Sequence, residues 1–365
     1  MVMAAGAATM LAPSMLRAAT PKWFANALVI DGLSGLGDPY APETQTRLSD
    51  RAMKELRQTG LTALRTTLVP VGNQPDVWER VNDFMDSMDS VFAANPDFLM
   101  KVKTAADIEA AKKAGKLGIL YGTQDTAMVG TDLDRLGKMK ERGVRCVQLT
   151  YNLRNLSGDG SLEPDNAGLS RLAKATIERI EAEKLLFDLS HGGARTIREG
   201  LAQAKRPPTI SHTGCRDLHD NPRNVFDADM RTVADKGGVV GIYFMPFLVA
   251  NSQPTTADVV RHIEHAWNVC GEDHVGIGTD NGPLAQLIDD EARRRAREEN
   301  AYRTKMGFAA PGEGPDVFPL VMDLNRVDRF QHLAEALVAL GHGQARLEKL
   351  FGQNLLRLYR DVWGS

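Results

Sequence analysis

The sequence is poor in cysteine, in aromatic residues and in long uncharged apolar runs, and neither sign of charge dominates it. Its three cysteines, Cys146, Cys215 and Cys270, lie far apart. That spacing excludes a disulfide scaffold or a thiolate zinc cluster as the organising device. Aromatic residues make up 6%, and 44 Lys plus Arg against 47 Asp plus Glu leave a formal net charge of -3. A nucleic-acid surface would need a basic excess or stacking rings, and the composition supplies neither. No uncharged apolar stretch reaches the roughly 18 residues needed to span a bilayer.

What is present is a chain of 365 residues with 43% hydrophobic and 25% charged residues. These are ordinary values for a folded domain, so disorder and coiled coil are excluded for the chain as a whole. The 33 glycines and 17 prolines are spread along it, as expected where short loops join many regular elements. Residues 1–19 (MVMAAGAATMLAPSMLRAA) are small and apolar and end in Ala18-Ala19. They resemble the hydrophobic and cleavage regions of an export signal without its basic front. A periplasmic or exported protein is expected if this stretch is a signal. A cytoplasmic one is expected if it is an apolar helix or a floppy terminus.

Apolar, β-rich runs recur at 27–31, 61–68, 117–121, 145–150, 185–189, 208–211, 239–244 and 274–279. Sequence of helical period follows each, for example at 168–183, where Leu169, Leu172, Ala173, Ile177 and Ile180 fall on one face. This alternation predicts a single (β/α)8 TIM barrel over 20–365, a fold of about 250 residues that tolerates insertions. A doubly wound open sheet is the competing fold, but Gly32, Gly35 and Gly37 after the first run lack the G-x-G-x-x-G order. Two domains divided near 155–165 are a further alternative. Residues 286–320 are charged and then rich in Gly and Pro. They read either as a lid or insertion over the barrel mouth or as a solvated helix.

Barrel chemistry sits at the C-terminal ends of the strands. The polar residues expected there are Asp31, Gln124, Asp125, Tyr151, Asn152, Arg154, Asp188, His191, His212, Arg223 and Asp280. His191 and His212 are the sharpest pair, each following a serine that ends a β-run, as LSH and ISH on successive strands. Strands about 4.8 Å apart bring two such imidazoles to one zinc ion. Asp280 then serves as ligand, as a partner for a histidine or as a general base. Arg223 offers a fork for a substrate carboxylate, and Tyr151 offers a donor to an oxyanion. Hydrogen-bonded core or rim positions are the alternative for each. His262 and His265 fall on a helix and read as surface or core, and His219 is a weaker candidate.

The segments GVRCVQLTYNLRN, LLFDLSH, ISHTGCRDLHDNPRNV, GGVVGIYF, DHVGIGTD and LEKLFGQNLLRLYR occur in this order. Together they resemble the membrane dipeptidase family, peptidase family M19, over about residues 27–358. The resemblance implies a barrel of the metal-dependent amidohydrolase type that hydrolyses dipeptides or related small amides through metal-activated water. By that likeness His191 and His212 are zinc ligands, and Asp280 is a ligand that also moves protons. Arg223 binds the substrate carboxylate, with Tyr151, Gln124 and Asn152 as further substrate-binding residues. The pattern departs from the family where His-x-Asp is expected, since Leu33-Ser34-Gly35 stands there. Gln124 replaces a bridging glutamate and Tyr151 a histidine.

The expectation is therefore at most one zinc ion, with none as the limiting case. The expected partner is a small peptide-like substrate, with a homodimer as a compatible assembly. The rival functions are a metal-independent enzyme acting on a small peptide or natural-product precursor, and a silent peptide- or protein-binding barrel.

Overall fold

The computed structural model describes residues 20–42, 44–250, 253–307 and 309–364. The export-signal expectation falls on residues 1–19, outside the described residues. Nine parallel strands are present among them: β1 Ile30–Ser34, β2 Ala63–Thr67, β3 Leu99–Lys101, β4 Leu117–Thr123, β5 Val144–Gln148, β6 Leu186–Asp188, β7 Thr209–Thr213, β8 Val239–Ile242 and β9 Val275–Ile277. They pair in the order β1-β2-β4-β5-β6-β7-β8-β9, with β3 attached beside β4. β9 returns to β1, where the Asp280 N–H donates to the Leu33 carbonyl at 2.9 Å. The result is a nearly closed eight-stranded barrel wrapped in helices, the expected (β/α)8 architecture.

The helices begin where small polar residues cap them. Ser49 and Ser170 accept from the N–H groups of Ala52 and Ala173, and Thr104 and Thr255 form capping boxes with Asp107 and Asp258. Inside the barrel, close packing depends on missing side chains. A Cβ on Gly278 would stand 2.1 Å from the Ser211 carbonyl oxygen, and one on Gly122 would stand 2.7 Å from Arg65 Cδ. The glycine at 122 thus lets a full arginine side chain lie across the barrel interior. One end of the barrel is plugged by the C-terminal helix Asn354–Trp363. Its Leu355 and Tyr359 pack among Ile30, Ala63, Leu120, Cys146, Leu186 and Val239.

The observed elements shift from expectation at two places. The first strand starts at Ile30 rather than at residue 27. Ala27-Leu28-Val29 is apolar because Ala27 and Val29 join the core, not because it carries the ladder. β3, three residues long, lies outside the β-runs read from the sequence. The stretch 286–320 contains a helix, Asp290–Lys305, with no buried residue, and residues on it line the barrel mouth. No helix among the described residues is long and apolar enough to cross a membrane.

Candidate functional site

The end of the barrel opposite the C-terminal helix holds a cavity of about 560 Å³. Tyr151, Asn152, His191, Arg223 and Asp280 line it, together with Met245, Phe247 and Phe318. His191 lies just beyond β6, His212 within β7 and Asp280 just beyond β9. One potential ligand atom from each of these three lies within 4.8 Å of the others, the sole such cluster among the described residues. The two imidazole rings stand 4.8 Å apart at 61°.

Two members of this cluster have backbones in the left-handed region, His191 at φ 62° and Asp280 at φ 58°. That conformation costs a residue with a Cβ roughly 1–2 kcal/mol. Neighbouring hydrogen bonds hold it: the His191 carbonyl accepts from the Ser161 N–H at 2.7 Å, and the Asp280 N–H is anchored on Leu33. Left-handed non-glycine residues of this kind concentrate at functional sites.

The hydrogen bonds also fix which imidazole nitrogen faces the cluster. His191 Nδ1 donates to Asn152 Oδ1 at 2.6 Å. His212 Nδ1 lies 2.9 Å from Ser211 Oγ, and that hydroxyl gives its own proton to Asp188 Oδ2 at 2.6 Å. Ser211 must therefore accept from His212. Both Nε2 atoms are left with their lone pairs, buried and without a hydrogen-bond partner. Burial, aided chiefly by the Arg223 charge, holds both imidazoles well below their ordinary pKa, so they are neutral. Two neutral, orphaned nitrogens facing a carboxylate form the donor set a divalent metal takes.

Asp188 is the hub beneath the histidines. It accepts from Ser190 Oγ at 2.8 Å and from the Ser211 N–H at 3.1 Å, and it pairs with Arg65 Nη1 at 2.7 Å. Arg65 is itself buried and also contacts Cys146 Sγ at 2.8 Å. Burial lifts the Cys146 thiol to about 12, so it remains protonated. Burial also raises the Asp280 carboxyl to about 6, against the opposing pull of Arg223, Arg65 and Arg303.

Arg223 is buried, and its Nη2 has no hydrogen-bond partner. Its backbone N–H is tied to Asn221 Oδ1 at 3.0 Å and its carbonyl to Thr213 Oγ1 at 3.1 Å. A fixed, desolvated guanidinium with a free N–H suits a carboxylate. Tyr151 stacks on His191 with ring centroids 4.3 Å apart and planes at 25°.

Gln124 stands apart from the other expected substrate residues. Its amide donates to Thr67 Oγ1 at 2.9 Å, and it is absent from the cavity wall. His262 is a core residue: Nδ1 accepts from the Cys215 N–H and Nε2 donates to the Leu248 carbonyl, both at 2.9 Å. His265 pairs with Asp227 at 2.8 Å. Asp125 accepts from the N–H groups of Gly72 and Ala127, and Asp38 pairs with Arg51.

Three residues of the site were not singled out from the sequence. Arg65 is an arginine inside an apolar β-run, and its alternation with Ala63 and Thr67 was the available signal. Arg303 and Glu313 line the mouth and pair at 2.6 Å. Their sequence carries no signal beyond opposite charge.

Residues 37–290 match the family profile described as "Membrane dipeptidase (Peptidase family M19)". The chain is 27% identical over 198 residues to dipeptidase verJ of Clonostachys rogersoniana, a match covering 54% of this chain and about half, 51%, of that protein. The crystal structure of an amidohydrolase from Pseudomonas aeruginosa superposes with a TM-score of 0.77 at 30% identity, over 94% of this chain and 98% of the other. A metallo peptidase from Rhodobacter sphaeroides, solved with a phosphinate mimic of the dipeptide L-Ala-D-Ala, gives 0.74 at 18% identity over 92% and 99%. At that identity the last likeness concerns the fold alone. Barrel, site and profile agree, and the chain belongs to the membrane dipeptidases, peptidase family M19.

Proposed function

We propose that this protein hydrolyses small peptides or related amides bearing a free carboxylate, with one divalent metal at most, zinc by the character of the donors. One observation carries the reading. The buried Nε2 atoms of His191 and His212 and the Nη2 of Arg223 all lack partners within one buried site. Buried polar atoms without partners are rare unless something binds them.

His191 Nε2, His212 Nε2 and the Asp280 carboxylate would hold the metal, which supplies Lewis-acid activation of water and of the amide carbonyl. The chain's own groups do the rest. Arg223 binds the substrate carboxylate through its free N–H and so places the scissile amide. Asp280 takes a proton from the attacking water and returns it to the leaving nitrogen as the C–N bond breaks. Tyr151 donates its O–H to the oxygen that gains charge.

A second metal is not expected. Leu33 is fully buried and apolar, and Gly35 offers no side chain. Gln124 is neutral and committed to Thr67. Asp38 and Asp125, the nearby carboxylates in sequence, are occupied by Arg51 and by backbone N–H groups.

Elemental mass spectrometry on protein purified without chelator or added zinc tests this. About one zinc per chain is expected, lost in the His191→Ala/His212→Ala variant, with hydrolysis in a panel of L,L- and L,D-dipeptides. Two equivalents of zinc would defeat the single-metal reading. No metal even after reconstitution, with hydrolysis retained, would assign the chemistry to the side chains alone.

A further inference from the structure

Strands β7, β8 and β9 are neighbours in the barrel, so the segment leaving β8 lies between those leaving β7 and β9. Arg223 stands on the segment after β7 and Asp280 on the segment after β9. Between them runs Met245-Pro246-Phe247, and all three residues line the cavity. Two contacts place the ends of this run. Asn281, the residue after Asp280, brings its Nδ2 to 3.6 Å from Met245 Sδ. The Phe247 ring centroid lies 6.0 Å from the guanidinium carbon of Arg223.

The wall is held from behind. The Phe247 carbonyl accepts from Nδ2 of Asn224, the residue after Arg223, at 2.8 Å. The Leu248 carbonyl accepts from His262 Nε2 at 2.9 Å. Phe318 is fastened beside the same run by Gln253: the Phe318 N–H donates to Gln253 Oε1 at 3.0 Å, and Gln253 Nε2 donates to the Phe318 carbonyl at 3.1 Å. Phe318 also lines the cavity. None of these four side chains can pair with a charge.

In a dipeptide a single Cα separates the scissile nitrogen from the free carboxylate. With the amide at Asp280 and the carboxylate on Arg223, that Cα stands before the segment after β8. Its side chain then has Met245, Pro246 and Phe247 as neighbours. Apolar surface buried there stabilises the complex. A charged side chain would lose water and gain no partner.

We propose that Met245–Phe247, together with Phe318, selects the C-terminal residue of the substrate, and that the substrates are peptides ending in an apolar residue of the size of Leu, Met or Phe. The proposal rests on the peptide-hydrolase reading for the position of the scissile bond.

The test uses the full chain supplied with zinc and the peptides Ala-Xaa, with Xaa as Gly, Leu, Phe, Asp or Lys in both configurations. In the configuration that is cleaved faster, kcat/KM should rise about 10–100-fold from Gly to Leu or Phe. Asp and Lys should fall below Gly. Phe247→Ala should shrink the Leu-to-Gly ratio by about fivefold or more. Met245→Ala, at a half-buried position that tolerates truncation better, should shrink it in the same direction. Neither variant should change the ratio between Leu-Ala and Gly-Ala, which a general loss of structure would not spare selectively. No preference at the C-terminal residue, a preference for a charged one, or a preference that both variants leave intact would each overturn the proposal. If no peptide is cleaved, the hydrolase reading fails, and calorimetry with the same peptides decides the wall by itself. Tighter binding of Ala-Leu than of Ala-Gly, lost in Phe247→Ala, would sustain it, and equal or undetectable binding would overturn it.

Discussion

Asn152 Oδ1 stands 2.6 Å from His191 Nδ1 and accepts its proton, so the opposite nitrogen of the ring keeps its lone pair for the cluster with His212 and Asp280. The adjacent residue, Tyr151, stacks on the same ring. One short segment after β5 therefore fixes both the tautomer and the tilt of an imidazole that follows β6. Asn152→Ala should lower zinc affinity by about 10–100-fold, the usual effect of deleting a group that orients a ligand. Competition against a chromophoric chelator would measure it, and an unchanged affinity would show that packing alone orients the imidazole.

Asp280 is expected to matter as a base beyond its place in the cluster. Asp280→Asn keeps the shape and one ligating oxygen but cannot take up a proton at neutral pH. A fall in kcat of about 10²–10⁴-fold is expected, measured at saturating zinc to separate it from lost metal. If kcat follows metal occupancy alone, proton transfer belongs to another group.

Arg223 has a different signature. Its free Nη2 should grip the substrate carboxylate in the ground state and the transition state alike. Arg223→Met is then expected to raise KM by about 10–100-fold while changing kcat little, as loss of uniform binding does. Dipeptide amides, which lack the carboxylate, should be poor substrates for wild type and variant alike. Arg223→Lys should restore little, because a point charge cannot reproduce the fork. A loss that falls on kcat instead would move Arg223 into the reaction step.

Much of this was legible in the sequence because β-runs that end in polar residues and lead into helices state the barrel rhythm openly. His191, His212 and Asp280 each stand at or just beyond a β-run, and the fold gathers them as that placement requires. Gln124 shows the limit of the same logic. It also follows a β-run, but its amide turns to Thr67 of β2 and away from the cavity wall. Arg303 was hidden for the opposite reason. It lies on a helix whose residues are all at least partly exposed, and it pairs with Glu313 at the cavity wall only once the chain returns there. Arg65 was masked by its apolar neighbours, since burying a guanidinium needs Asp188 on β6 and a glycine at 122 on β4. Both are visible only once the barrel closes.

Asp31 offers a test of the barrel seam that is independent of any substrate. Its carboxylate joins β1 to the end of β9, accepting from the Thr279 N–H at 2.8 Å and from Thr279 Oγ1 at 2.6 Å. Burial raises its pKa from 3.8 to about 7, although the Thr279 hydrogen bonds and the charge of Arg329 oppose the rise. Below pH 3.8 the group is protonated in both the folded and the unfolded chain and has no pH-dependent cost. Between that value and about 7 the unfolded chain ionises while the folded one keeps its proton, so stability is lost as pH rises. The full loss is on the order of 4 kcal/mol and levels off once the folded carboxyl has ionised. Asp31→Asn preserves the shape, and its amide can donate to Thr279 Oγ1, which still reaches the Asn281 carbonyl at 3.1 Å. The variant should match the wild type near pH 4 and become progressively the more stable of the two up to about pH 8. Thermal unfolding of both proteins across that range, with zinc held constant, gives the comparison. Melting temperatures that stay parallel at every pH would mean that Asp31 is ionised in the folded barrel and that Thr279 and Arg329 outweigh its burial.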